Sequence, residues 1–260
     1  MSRFDQHSSI GFLVYYIIYI IWTGSLIMDD IAVGLIIFFS IVPDLDIFYG
    51  ARKAGGIENL DDEFQHHFFS WSHYPLTYTP FIFLFIISLI FNFYPTYFII
   101  PIIGIYMGHF MMDTIACGDG IMWGKNPFKK DRYARFINIW CSKTDGYHGL
   151  HWNARYRQTI FCKLANIAVI ISVVLIQIFQ IIMTYRIFYA ISLLYIVPIV
   201  YLLLMLYFGL EKIPEEHLKE PLKGRYADYR VNQKYINGLS EKNRKKHLQK
   251  YSDLLKDYKG

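Results

Sequence analysis

The sequence predicts an all-α fold, a polytopic membrane helical bundle with about six membrane segments. Hydrophobic residues make up 54% of the 260 residues and charged residues only 18%, whereas an average soluble domain carries about 25% charge. The charges stand in a few blocks that are separated by long uncharged stretches. This distribution is typical of a membrane protein and excludes a disordered chain or a coiled coil.

The first two predicted segments cover residues 10–28 and 31–43, and neither contains a charged residue. The first lacks the basic n-region and the small-residue cleavage site of a signal peptide, so we predict a retained helix. The second rises about 20 Å at 1.5 Å per residue, which is short of a hydrocarbon core of ~30 Å.

The other four segments form two pairs. Residues 76–112 contain no Asp, Glu, Lys or Arg. The run from Asn92 to Pro95 divides this stretch, which predicts helices over about 76–92 and 96–115. Residues 160–183 and 187–209 form the second pair, with Lys163 and the intervening Arg186 as the only charges.

The orientation follows from the distribution of Lys and Arg. Residues 211–260 hold 13 Lys/Arg and 8 Asp/Glu, whereas residues 1–210 hold 13 of each. The positive-inside rule therefore places the basic tail in the cytoplasm and predicts an N-in/C-in topology with 25 of the 26 Lys/Arg inside. We predict a membrane-embedded domain over 1–210 and a basic cytoplasmic tail over 211–260, partly helical after an N-cap at Ser240.

The clearest candidate site is the pair His109 and Asp113. The i, i+4 spacing places both side chains on one helix face, and ionisable residues at membrane depth are functional candidates. The pair either ligates a metal ion or forms a buried hydrogen bond that joins helices. Gly104 and Gly108 form a G-x-x-x-G pattern just before it, which predicts the close approach of a neighbouring helix.

Further carboxylates and histidines stand at the same predicted depth. Asp44 and Asp46 follow the second segment directly, and Asp44 lies about 20 Å from its outer end, as His109 and Asp113 do in theirs. The histidines near this level number seven of the nine in the chain, whereas His217 and His247 are expected to be surface residues of the tail. The seven are His7, His66, His67, His73, His109, His148 and His151.

Imidazole and carboxylate together favour Zn, with Mn or Fe as alternatives, over Ca or Mg. The three cysteines form no CxxC pair and predict no thiolate site. We therefore expect one to three divalent transition-metal ions.

These motifs resemble a family of bacterial inner-membrane, metal-dependent hydrolases described as LexA-regulated or LexA-binding. The chain is also similar, more distantly, to the zinc-dependent phospholipase C superfamily. The resemblance spans residues 7–128, and its most specific part is Gly108-His109-x-x-x-Asp113 with Gly118. It implies a bacterial inner-membrane location and core metal ligands at Asp44, His66 or His67, His109 and Asp113, with His7 as a further ligand shared with Asp113. The histidine cluster that ends at His73 departs from the family pattern at three points, which leaves the choice between His66 and His67 open.

A metal centre near the inner headgroup level predicts hydrolysis of a phosphoester, with a membrane lipid as the favoured substrate. Asp46 or Asp119 would act as general base or would orient a ligand histidine. Three lysines after the site either hold an anionic headgroup or simply follow the positive-inside rule: Lys125, Lys129 and Lys130.

Other functional classes stay open. A transporter or proton relay would use Asp and His pairs, although here these residues cluster at one end of the segments. A membrane di-iron oxygenase would need more HxxxH patterns than the sequence holds, and a regulatory binding protein would keep the ligands for stability. The expected partners are membrane lipids, and no nucleic acid is expected because a solvated tail explains the basic charge more simply.

Overall fold

The computed structural model describes residues 3–55, 70–116, 121–122, 136–137, 154–183, 199–200, 202–203, 206–207, 212–218 and 233–256. Within these residues the regular elements are helices and one pair of two-residue strands. Strand β1 (Ile121–Met122) runs antiparallel to β2 (Phe136–Ile137). The predicted all-α class is therefore confirmed, with this short pair as the exception.

Helix α1 (Phe4–Thr23) begins and ends earlier than the predicted segment 10–28. At its start, the Arg3 backbone N–H donates to Gln6 Oε1 at 3.2 Å. At its end, Gly24 adopts a left-handed conformation with φ 69° and donates its N–H to the Ile20 carbonyl, as glycine at a helix C-terminus commonly does. The sequence prediction was wrong here because the polar residues before position 10 are buried in the protein instead of facing water.

Helix α2 (Asp30–Ile41) begins at an Asp29 cap, whose Oδ1 accepts from the Ala32 N–H at 2.9 Å. It continues through a 3₁₀ turn (Val42–Leu45) into α3 (Asp46–Ala54). The helical run Asp30–Arg52 has 23 residues, which rise about 35 Å and are long enough to span a bilayer. The prediction of a short second segment over 31–43 was therefore wrong, because the Pro43 turn does not end the helical path.

The predicted break near residue 92 is confirmed. A 3₁₀ turn (Pro75–Tyr78) leads into α4 (Thr79–Ile90), and the chain then reverses through Asn92 and Tyr94, with φ values of 51° and 44°. The next helix, α5 (Pro95–Ile115), contains a π-helical stretch over Ile103–Phe110. π-Helical turns are rare and occur frequently at functional sites.

Helix α6 (Ile160–Met183) has the predicted bounds. Four short helices are described in the tail, and α9 begins directly after Ser240, as the sequence predicts. They are α7 (Glu215–Leu218), α8 (Gln233–Gly238), α9 (Glu241–Lys250) and α10 (Ser252–Lys256).

Three helices of the described chain are long and apolar enough to cross a membrane, and they indicate a membrane protein: Asp30–Arg52, α5 and α6. Six spans were predicted. Of the other three, α1 carries a polar first turn, the apolar run Pro75–Ile90 is shorter than a span, and the predicted segment 187–209 lies largely outside the described residues.

Helix α5 is the central helix, since 61% of its apolar stretch is buried, against 28% for Asp30–Arg52 and 33% for α6. It packs against α1 and α2, and α6 packs against α1. The buried side chains between these helices form one apolar core, which includes Phe12, Tyr15, Met28, Ala32, Val33, Ile36, Ile100, Ile103, Ile176 and Phe179.

Helices α1, α2 and α5 approach one another most closely around Gly108. A Cβ atom placed on Gly108 would lie 2.9 Å from the Gly11 Cα, 3.1 Å from the His7 carbonyl oxygen and 2.7 Å from Ser40 Oγ. A Cβ atom on Gly104 would meet the α2 backbone at 3.0 Å. The helix contact predicted from the G-x-x-x-G pattern is therefore confirmed.

We expect Gly108→Ala to destabilise the protein by about 1–3 kcal/mol, because the added methyl group meets backbone atoms that cannot rotate away. Thermal unfolding in detergent would measure this loss. Gly34→Ala is the matched control: Gly34 also lies inside a helix, and its Cβ would meet nothing within 4 Å. The control should be neutral or stabilised by about 0.5–1 kcal/mol, and equal stability of Gly108→Ala and wild type would contradict the close packing.

Candidate metal centre

His7 lies in the first turn of α1 and is fully buried. Its Nδ1 is 3.1 Å from the Gly108 carbonyl oxygen. Because a carbonyl oxygen can only accept a hydrogen bond, Nδ1 carries the proton and the neutral ring presents a lone pair at Nε2. That Nε2 lies 3.4 Å from Asp113 Oδ1 and 3.9 Å from Asp44 Oδ2.

His109 and Asp113 lie on α5, where the predicted i, i+4 proximity is confirmed. His109 Nε2 is 3.1 Å from Asp113 Oδ2, and both residues are buried. His109 Nδ1 donates to the Ser40 carbonyl at 3.0 Å. Ser40 stands in the last turn of α2, just before the 3₁₀ turn that contains Pro43. His109 therefore joins α5 to α2 through Nδ1 and keeps Nε2 directed at the carboxylates.

Asp44 and His73 bring two more donor side chains to the centre. Asp44 lies in the 3₁₀ turn that follows α2, and His73 ends another 3₁₀ turn (Trp71–His73) that packs against it. His73 Nε2 is 3.2 Å from Asp44 Oδ1 and 3.4 Å from His109 Nε2. Five of the predicted residues, from four separate segments, therefore lie close together: His7, Asp44, His73, His109 and Asp113.

Asp46 contacts Nδ1 of the His73 ring, the nitrogen that faces away from the centre. Its Oδ2 lies 3.0 Å from His73 Nδ1 and accepts the Ser72 hydroxyl at 2.7 Å. Ser70 Oγ lies a further 2.7 Å from Ser72 Oγ. Of the two roles predicted for Asp46, the contacts match the orientation of a histidine, since the carboxylate holds Nδ1–H and leaves Nε2 to the centre.

The donor atoms form two overlapping groups, and His109 belongs to both. In His7, Asp44 and His109, and again in His73, His109 and Asp113, the nitrogen and oxygen donors all lie within 4.8 Å of one another. A tetrahedral zinc ion with bonds of about 2.0–2.1 Å separates its ligands by roughly 3.3 Å. The observed separations of 3.1–3.9 Å surround that value.

The electrostatics of the cluster favour a bound cation. Nε2 lone pairs face carboxylate oxygens and each other, so acceptor atoms meet without a hydrogen between them unless a proton is added. The rings of His7 and His109 stack with centroids 4.3 Å apart and 22° between their planes. Two positive charges at that distance in a buried site repel strongly, so protonating both histidines is unfavourable. A divalent ion held by either donor group would replace these acceptor–acceptor contacts with bonds to a cation.

The centre opens on one side. The side chains of His7, His73, His109 and Asp113 are 0–2% exposed, whereas those of Asp44 and Asp46 are 13% and 10% exposed. Three exposed aromatic side chains stand within a few residues of Asp46 or Ser72 in the sequence: Phe48, Tyr49 and Trp71. A reactant would therefore approach past Asp44.

Several predicted residues lie outside the described residues: His66, His67, Asp119, Lys125, Lys129, Lys130, His148 and His151. One prediction about the tail was wrong. His247 is buried rather than exposed, because its ring packs against Tyr251 with centroids 4.9 Å apart.

The sequence motifs predicted neither the backbone acceptors at Ser40 and Gly108 nor the contact of Gly108 with Gly11. The signals available were the position of Ser40 in a last helical turn and the glycine at position 11.

In comparisons with known proteins, no family model, no curated protein and no solved structure matches the chain.

Proposed function

We propose that the chain is a membrane-bound, metal-dependent hydrolase that cuts a phosphoester, with a membrane phospholipid as the favoured substrate. The observation that carries this proposal is the convergence of three histidines and two carboxylates on one centre. In each histidine, Nδ1 is held by a carbonyl or a carboxylate and Nε2 is left to the centre. The resemblance of the motifs at His7, Asp44, His109 and Asp113 to inner-membrane hydrolases supports the same proposal.

The donor set fits zinc, with manganese or iron as alternatives, at one to three ions per chain. His7, Asp44, His73, His109 and Asp113 would hold the metal. A metal ion bound there would activate water at neutral pH and neutralise the charge that develops on a phosphoryl group. Asp46 would keep the His73 ring oriented, and the partly exposed Asp44 edge would admit the reacting ester.

A lipid substrate is supported by exposed aromatic residues in the segments that carry Asp46 and His73. Phe48, Tyr49 and Trp71 are exposed, and Tyr and Trp favour the zone where lipid headgroups meet the hydrocarbon. A phosphoester in a headgroup would reach the Asp44 edge from the side, without leaving the bilayer. Lys125, Lys129 and Lys130 are proposed to hold the anionic headgroup.

We further propose that the chain lies in the bacterial inner membrane with six segments, an N-in/C-in topology and the metal centre at the cytoplasmic face. The neutral balance of residues 1–210 and the basic balance of 211–260 support this orientation.

Cysteine labelling in intact cells tests that topology. In a background without the native cysteines, single substitutions Asn59→Cys, Lys125→Cys and Lys242→Cys should be protected from a membrane-impermeant reagent. Asp30→Cys should label, because Asp30 is assigned to an outer connection. Permeabilised cells provide the control, since all four positions should then react. Labelling of position 59 or 125 from outside would contradict the proposed orientation.

A substrate panel tests the reaction class. Metal-loaded protein is incubated with labelled total phospholipid in vesicles and, separately, with soluble generic phosphodiesters, and the chelated protein serves as the blank. We expect turnover of the phospholipid that disappears on chelation and returns when the metal is restored. Turnover of the soluble ester alone would assign the centre to another phosphoester. Turnover of neither, in protein that retains its metal, would instead favour a regulatory binding role or a transport role.

A further inference from the structure

A second polar network includes Gln6, the residue before His7, and joins α1 to α6. Gln6 is fully buried, and its Nε2 donates to Asn166 Oδ1 at 2.9 Å. Its Oε1 accepts the Tyr156 hydroxyl at 3.2 Å and the Arg3 backbone N–H at 3.2 Å. We call these four residues, Arg3, Gln6, Tyr156 and Asn166, the α1–α6 network. Helix α6 itself contributes no residue to either donor group of the metal centre.

Asn166 is the acceptor at the middle of this network. Its Oδ1 also accepts from Arg3 Nη2 at 3.0 Å, and one amide oxygen has two lone pairs for these two donors. The contact with Arg3 fixes which end of the amide faces α1, because a guanidinium can only donate. Arg3 is held in turn by two hydrogen bonds to the buried Asp5, of 3.0 and 2.8 Å.

The position of the network explains why it matters for the centre. The first turn of a helix is the part that frays most readily. In α1 the N–H groups of Gln6 and His7 both donate to the Arg3 carbonyl, at 2.9 and 3.1 Å, so this turn depends on how Arg3 is held. His7 is placed in that turn, and its Nε2 must stay within 3.4 Å of Asp113. A change in the first turn of α1 would move His7, whereas His109 is held inside a long central helix.

We propose that Asn166 is a positioning residue of the metal centre: it anchors the first turn of α1 to α6 and thereby holds His7 in place as a ligand. This inference rests on the proposed metal-binding function. Asn166 touches no donor atom, so its effect passes through Gln6 and Arg3. Partners that orient metal ligands typically change metal affinity by 10–100-fold when they are removed.

Two substitutions of Asn166, to Ala and to Asp, separate a hydrogen-bond role from a packing role. Asn166→Ala removes the acceptor and leaves Gln6 Nε2 and Arg3 Nη2 without it. Asn166→Asp keeps an oxygen for both donors and faces the positive charge of Arg3. We therefore expect Asn166→Ala to bind Zn²⁺ about 3–10-fold more weakly than wild type, a smaller loss than the 10–100-fold typical of a partner that contacts a ligand directly. Asn166→Asp should bind Zn²⁺ at close to the wild-type level.

Zn²⁺ affinity is measured on the full detergent-solubilised chain in competition with a chromophoric chelator. Gln177→Ala is the matched control. Gln177 is a half-buried amide on the same helix, about three turns further along, and its Nε2 donates to Gln180 Oε1 at 3.1 Å. This variant loses a comparable amide hydrogen bond on α6 and should bind Zn²⁺ as wild type does.

The absorption spectrum of the Co²⁺-loaded protein gives a second readout, which reports ligand geometry rather than stability. It should change in Asn166→Ala and remain unchanged in Asn166→Asp and Gln177→Ala. Tyr156→Phe keeps the buried ring and removes only the hydroxyl that donates to Gln6. It should weaken Zn²⁺ binding to a smaller extent than Asn166→Ala, and it tests the network even if Asn166→Ala does not fold.

The outcomes separate this inference from the proposed function. Wild-type affinity and an unchanged Co²⁺ spectrum in both Asn166→Ala and Tyr156→Phe would overturn the positioning role and leave the metal centre intact. Equal losses of Zn²⁺ affinity in Asn166→Asp and Asn166→Ala would overturn the role of Asn166 as a hydrogen-bond acceptor. Wild-type protein that binds neither Zn²⁺ nor Co²⁺ would overturn the proposed function and this inference together.

Discussion

His109→Ala is expected to remove all of the bound metal from the purified protein. His109 belongs to both groups of donor atoms, so its loss opens every combination of three ligands that the described residues provide. His109 Nδ1 also donates a hydrogen bond to the Ser40 carbonyl and so joins α5 to α2. We expect wild-type protein, purified in detergent after growth with Zn and Mn, to contain about one to three ions per chain by elemental analysis, and His109→Ala to contain none.

His247→Ala is the matched control for this measurement. It also removes a buried imidazole, but one that belongs to neither donor group, and it should retain the metal content of wild type. Equal metal content in His109→Ala and wild type would assign the metal to another part of the chain. A wild-type protein that purifies without metal and binds none on titration would leave a hydrogen-bonded cluster with a structural or proton-transfer role.

The proximity of the site residues could be predicted because it follows from helix geometry. The i, i+4 spacing fixes His109 beside Asp113 wherever the helix lies, and a constant rise per residue places Asp44 at the same depth. The contact of His7 with both carboxylates depends on α1, whose start at Phe4 the hydrophobic pattern did not show. A polar first turn appears solvated in sequence, and the packing of both α5 and α6 against it makes it buried.

The orientation of the histidines could not be predicted. Gly108 and Ser40 act through their backbone carbonyls, and every residue carries such a group, so the residue type gives no signal. The π-helical stretch over Ile103–Phe110 is equally invisible to an analysis that assumes 3.6 residues per turn. For Asp46 the sequence left two roles open, and the contacts with Ser72 and His73 favour orientation of the ring.

Asp113→Ala is expected to abolish the proposed hydrolysis, with kcat/KM at least about 100-fold below wild type, because ligand loss should exceed the 10–100-fold effect of an outer partner. Asp113 is buried, and its two oxygens lie 3.4 Å from His7 Nε2 and 3.1 Å from His109 Nε2. Its removal leaves these two imidazoles without the carboxylate between them. Initial rates on the substrate accepted by wild type, at saturating metal, provide the measurement.

Two further variants place this loss on a scale. Asp46→Ala should lower kcat/KM by about 10–100-fold, because it frees the His73 ring without removing a donor to the centre. Asp253→Ala removes an exposed carboxylate of α10 that pairs with Lys256, and such surface pairs contribute little, so its rate should equal that of wild type. The expected order is therefore Asp253→Ala, Asp46→Ala and Asp113→Ala, from fastest to slowest. Undiminished turnover in Asp113→Ala would exclude this centre as the active site, whatever bond the protein cuts.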